Sequence, residues 1–193
     1  MKYLNIIRRH AEMVFDLERS LPLIRAIEKT VRPGDVVVDL GCGLGVLSFA
    51  AVNAGAKRVY AIDVDSGALD FAQWQAKQLG MEKRICFFND HSYHVDLSEK
   101  ADLLIQETIG RLAFDENFLP TLIDAKKRFL KPSGKIIPAK VALVGAPVDF
   151  KRKFIAKSSF LAEITSKSVK NRSISIKKSW ELAKKSNFKG ILV

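Results

Sequence analysis

Apolar residues in this chain follow two rhythms. Short runs rich in β-branched and aromatic residues alternate with stretches in which apolar positions recur every three or four residues. The runs predict strands at 36–40 (VVVDL), 58–63 (RVYAID), 84–89 (RICFFN) and 101–106 (ADLLIQ). Between them the spacing predicts helices over 45–54, 66–79 and 117–130. The helix over 66–79 carries Leu69, Ala72, Ala76 and Leu79 on one face and stops at Gly80. "RPGD" at 32–35 and "KPSG" at 131–134 read as turns, and 135–148 as strand-like. Upstream, residues 6–18 and 21–30 read as two helices. Leu17, Leu21, Ile24 and Ile27 recur at helical spacing, and Ser20 with Pro22 marks a restart between the two. Strand and helix alternate throughout, so the expected fold is α/β: a doubly wound, mostly parallel, Rossmann-like sheet. The pattern fades after Phe150.

In such a sheet a ligand lies beyond the carboxyl ends of the strands. There the first strand runs into "DLGCGLG". Gly41, Gly43 and Gly45 occupy the strand-to-helix turn, where glycine allows positive φ and lets a ligand touch the backbone. The second strand ends at Asp63, with Val64 beside it. A carboxylate there can accept both hydroxyl hydrogens of a ribose, so the two features describe an adenosine site. The spacing is not the dinucleotide G-x-G-x-x-G, whose third glycine would fall at Val46, and no phosphate-holding lysine follows.

D-x-G-x-G-x-G after the first strand resembles motif I of class I S-adenosylmethionine-dependent methyltransferases. The segment "VVVDLGCGLGVLSFAAVNAGAKRVYAID" is similar to the matching stretch of protein arginine methyltransferases. So are "HAEMVFDLER" upstream, "QETIGRLAFDE" after the fourth strand and "AKKRFLKPSGKIIPAKVAL" beyond it, which together span roughly residues 10–149. The resemblance implies a methyltransferase fold and S-adenosyl-L-methionine as cofactor, leaving S-adenosyl-L-homocysteine. It implies that Arg19, Asp39, Gly41, Gly43, Gly45, Asp63, Val64, Asp90 and His91 hold that cofactor. Arg19 would grip its carboxylate, and the acid after the third strand would accept from the adenine amino group. Glu107 and Glu116, nine residues apart, match the family's double-glutamate loop and would position a nitrogen nucleophile. A Thr-His-Trp segment does not occur in these residues, the family's barrel domain is not expected in the stretch after residue 150, and Gln106 stands where the family's serine precedes the first glutamate.

Composition adjusts this reading. There are two cysteines and no CxxC, and His91 and His94 stand without nearby cysteines, so neither a disulfide framework nor a metal site is expected. No signal-like or membrane-length apolar run occurs, and a cytoplasmic protein without a membrane partner is expected. The net charge is +11, and residues 151–193 hold twelve Lys or Arg against two Glu. The expected organisation is N-terminal helices over 1–30 capping the cofactor site, a cofactor-binding core over 31–149, and a basic segment over 150–193. The acceptor is expected to be a protein side-chain nitrogen or a small amine or guanidine. A second reading is an RNA methyltransferase using residues 151–193 as an electrostatic arm. A third is a cofactor-binding subunit without activity of its own. Oligomeric state stays open.

Overall fold

Three consecutive valines open the central strand because β-branched side chains pack well on a pleat buried on both faces. In the computed structural model, which describes residues 3–110 and 116–141, this strand is β1, Val36–Leu40, buried at every position. Around it lie β2 (Arg58–Asp63), β3 (Ile85–Asn89), β4 (Ala101–Gln106) and β5 (Leu130–Ile137). All pairings are parallel, in the order β3-β2-β1-β4-β5. The chain winds from β1 through β2 to β3 and then crosses to β4 on the other side of β1, which sets the switch point between the carboxyl ends of β1 and β4. The expected doubly wound parallel sheet is the fold.

The connecting helices are α3 (Val46–Asn53), α4 (Ser66–Gln78) and α5 (Phe118–Phe129), preceded by α1 (Leu4–Val14) and α2 (Leu17–Thr30). Leu23, Ile27, Ala51, Leu69 and Ala76 bring α2, α3 and α4 onto one face of the sheet. Ala125 and Phe129 of α5 cover the other, together with Val95. A third cluster, Leu44, Ala68 and Phe71, receives Tyr3, Ile6, Ile7 and Val14 and so docks α1 beside the carboxyl ends of the strands.

Three boundaries differ from those the sequence predicts. The break between α1 and α2 falls at Phe15–Asp16, not at Ser20–Pro22. Asp16 caps α2 by accepting from the Arg19 N–H at 3.1 Å, and Pro22 lies inside that helix. "KPSG" is a bulge within β5 rather than a turn before it: Ala101 pairs with Leu130 and Leu103 with Lys135, so the extra residues loop out of one strand. The strand expected to run on to 148 ends at Ile137; residues 142–148 and the basic segment lie outside the described residues.

Candidate active site

The first turn after β1 is built from positive φ at Gly41 (69°), Gly43 (51°) and Gly45 (81°). At Gly41 a side chain would also collide with the Thr108 methyl, so the loop after β4 presses directly on the glycine backbone. Asp63 closes the same turn from the side. Its Oδ2 accepts from the Gly43 N–H at 2.7 Å and its Oδ1 from the Asp65 N–H at 2.8 Å, which leaves the second lone pairs of both oxygens for hydroxyl hydrogens.

These groups line a cavity of about 390 Å³ at the carboxyl ends of the strands, a size suited to a small-molecule ligand. Arg19, Asp39, Gly41, Gly43, Asp63, Val64, Asp90, His91, Glu107 and Glu116 all line it, brought together from segments far apart in the chain. Gly45 is not among the lining residues. A Cβ there would sit 3.0 Å from the Phe49 ring and 3.2 Å from Ala72, so this glycine allows α3 to pack on α4.

Charge is arranged unevenly in the cavity. Asp39 is 1 % exposed and accepts from the Ser48 hydroxyl at 2.6 Å. Burial pushes its carboxyl up to about 6, the Ser48 hydrogen bond opposes that rise, and the Asp63 charge adds to it. Burial likewise raises the Cys42 thiol, which keeps it protonated and unsuited to act as a nucleophile. The Arg19 guanidinium is held below its ordinary value by burial, against the pull of Asp16 and Glu116. Its Nη2 forms an ion pair with Glu107 Oε2. Glu107 therefore already has a guanidinium as its partner.

The third wall is the turn after β3. Asp90 Oδ1 accepts from the His91 N–H at 2.6 Å and bonds His94 Nδ1 at 2.9 Å, and these contacts hold the carboxyl below its usual value. The His91 ring stacks on Tyr93 at 4.6 Å. Ser92 belongs to the same wall, its hydroxyl buried and without a partner among the described residues. With Asp63 keeping lone pairs for ribose hydroxyls, an Asp90 carboxylate lining the same cavity fits a purine nucleoside.

The cavity also takes residues beyond the named candidates, some of them from the HAEMVFDLER stretch. His10 and Met13 reach the cavity from α1, three residues apart on one helix face. Thr108 follows Glu107 directly, and its neighbour Gln106 is fully buried, donating to Thr108 Oγ1 at 3.0 Å and to the Phe118 carbonyl at 3.2 Å. Thr121, in the second turn of α5, had no local mark.

Residues 22–140 match the family model described as ribosomal protein L11 methyltransferase (PrmA). The chain belongs to this family. It is thereby a class I S-adenosylmethionine-dependent methyltransferase by fold and lineage, and its resemblance to arginine methyltransferases is borne out. A probable protein arginine N-methyltransferase 6 of Arabidopsis thaliana is 36% identical over 141 residues, covering 72% of this chain and 32% of that protein. Protein arginine N-methyltransferase 6 of Danio rerio is 36% identical over 142 residues, covering 72% of this chain and 40% of that protein. The Trypanosoma brucei PRMT1 enzyme-prozyme heterotetrameric complex with AdoHcy superposes with a TM-score of 0.67 at 26% identity, covering 80% of this chain and 49% of that one. The chain thus spans about a third of the length of the Arabidopsis relative and half of the trypanosome protein. The methyltransferase family's cofactor is S-adenosylmethionine, and the donor set around the cavity suits it. No helix among the described residues is long and apolar enough to cross a membrane.

Proposed function

We propose that this protein transfers a methyl group from S-adenosylmethionine to a side-chain nitrogen of a protein, with arginine the favoured acceptor. The observation that carries the reading is the Arg19–Glu107 ion pair on the cavity wall. The group suited to the cofactor's carboxylate and the group suited to a cationic acceptor touch each other, so the two substrates would meet where they pair.

S-adenosylmethionine, when bound, supplies an electrophilic methyl on a sulfonium, open to in-line displacement. The chain's residues do the rest. Asp63 accepts the ribose hydroxyl hydrogens, and the Gly41–Gly43 backbone lets the ligand approach. Arg19 turns its planar fork to a carboxylate, which frees Glu107. Glu107 then holds the acceptor guanidinium by charge-assisted bonds and aims one nitrogen. Glu116, close enough to influence Arg19, completes the acidic wall. A proton leaving the methylated nitrogen passes to a carboxylate or to water. Residues 1–30 act as the cap, 31–149 as the core, and 150–193 as a basic segment that completes the core or is appended to it. The two unpaired cysteines suit a reducing, cytoplasmic setting.

Radiolabelled methyl transfer into a lysate fractionated into protein, RNA and small molecules tests this. Label in protein is expected, lost about a hundredfold in Glu107→Gln while S-adenosylhomocysteine still binds. Label confined to RNA, which residues 151–193 would favour, or a Glu107→Gln variant with full turnover, would overturn it.

A further inference from the structure

Arg128, in the last turn of α5, is held away from the cavity yet grips the turn that forms one of its walls. Its Nε and Nη2 form a fork onto the Asp124 carboxylate at 2.9 and 2.7 Å. Its Nη1 donates to the Val95 carbonyl at 2.7 Å and its Nη2 also to the Ser92 carbonyl. The guanidinium carbon lies 4.4 Å from the centre of the Phe129 ring, which is buried in the core. One planar group thus ties a core helix to both ends of the Ser92–Val95 segment. That segment needs the tie. It is a single 3₁₀ turn, Ser92–His94, following the edge strand β3, and a turn of that length has little intrinsic stability.

The same turn places Asp90 on the cavity wall, with the Ser92 hydroxyl buried and without a partner among the described residues. Both bonds to Asp90 fall on Oδ1, so Oδ2 is open among the described residues. We infer that Arg128 is a positioning residue: by holding the Ser92 and Val95 carbonyls against α5, it sets the Asp90–Ser92 turn so that the cofactor's purine is read at its amino edge. A lysine at this place could not replace it, because one ammonium cannot span a carboxylate and two separated carbonyls in a fixed plane. The inference rests on the cavity being the S-adenosylmethionine site.

Calorimetry of the 193-residue protein with S-adenosylhomocysteine and with S-inosylhomocysteine tests it. The inosyl compound carries a carbonyl in place of the adenine amino group, so a fixed acidic turn disfavours it. The wild type is expected to prefer the adenosyl compound by about tenfold or more, the effect of a hydrogen bond to a charged group. In Arg128→Met and Arg128→Lys that preference is expected to fall to near unity, with the inosyl compound's affinity little changed. If Arg128→Met does not fold, Asp124→Asn keeps the guanidinium on Phe129 but removes its carboxylate anchor, and the preference is expected to drop there too. A wild type without preference, or variants that weaken both compounds by one factor, would overturn the inference and leave the cofactor site standing. A wild type that binds neither compound would overturn both.

Discussion

Asp39 shows how a site residue can work against the fold that carries it. Its carboxyl lies between β1 and α3 with Ser48 as its donor among the described residues, and its pKa is lifted from 3.8 to about 6. The folded protein therefore holds this proton more tightly than the unfolded chain does. The stability it contributes is fully present below the unfolded value and is lost as the pH rises through about 6, a loss of about 3 kcal/mol by neutral pH. Asp39→Asn keeps an acceptor for Ser48 without the charge. It is expected to raise the Tm at pH 7.5 and leave it nearly unchanged at pH 4 in scanning calorimetry; equal shifts at both values would contradict this. Arg19 differs: its charge is paired with Glu107 and would turn to a ligand carboxylate. Arg19→Ala is expected to weaken S-adenosylhomocysteine about tenfold, measured by calorimetry, and unchanged affinity would remove the carboxylate contact.

Among the elements, α1 owes its close approach to α4 to a small residue on that helix. Ile6 packs where the side chain of Gly67 would be: a Cβ there would lie 2.5 Å from Ile6 Cδ1. Arg9 adds an ion pair to Asp65 at 3.1 Å, and Tyr3 packs edge-on to Phe71 at 5.1 Å. Gly67→Val is expected to lift α1 from α4 and reduce cofactor affinity at least fivefold through His10 and Met13, with a Tm loss smaller than that of a core substitution. A full-affinity Gly67→Val would show that α1 does not shape the cavity. The strands were the most readable elements, because β-branched runs ending in Asp63 and Gln106 leave little choice of register. Helix breaks were less so. Ser20 and Pro22 look like a restart, yet Asp16 is the better cap, and the Ser20 hydroxyl instead donates back to the Met13 carbonyl at 3.3 Å. A local pattern cannot rank two competing breaks, nor tell the bulge of "KPSG" from a turn, since that difference lies in the partner strand β4.

At the level of the whole molecule, the sheet order places the ends of β1, β2, β3 and β4 around one cavity, and this is why residues from 10 to 121 meet there. The glycine turn and Asp63 were readable in advance because each is fixed by its own strand. Ser92, Thr108 and Thr121 were less visible or silent, because their roles arise from where other elements press. The separation of charge follows the same scale: the excess of lysine and arginine lies in 151–193, while the cavity gathers Asp39, Asp63, Asp90, Glu107 and Glu116. An acidic cavity favours a cationic partner, so initial methyl-transfer rates onto an arginine-rich peptide are expected to fall several-fold between low and physiological salt. A rate independent of salt would count against electrostatic capture. On the proposed function, this cavity holds S-adenosylmethionine through Asp63. Titration of the wild-type protein and of Asp63→Asn with S-adenosylhomocysteine tests it most directly. One ligand per chain is expected for the wild type, with at least tenfold weaker binding in the variant; no heat from the wild type, or equal affinity in both, would contradict the claim.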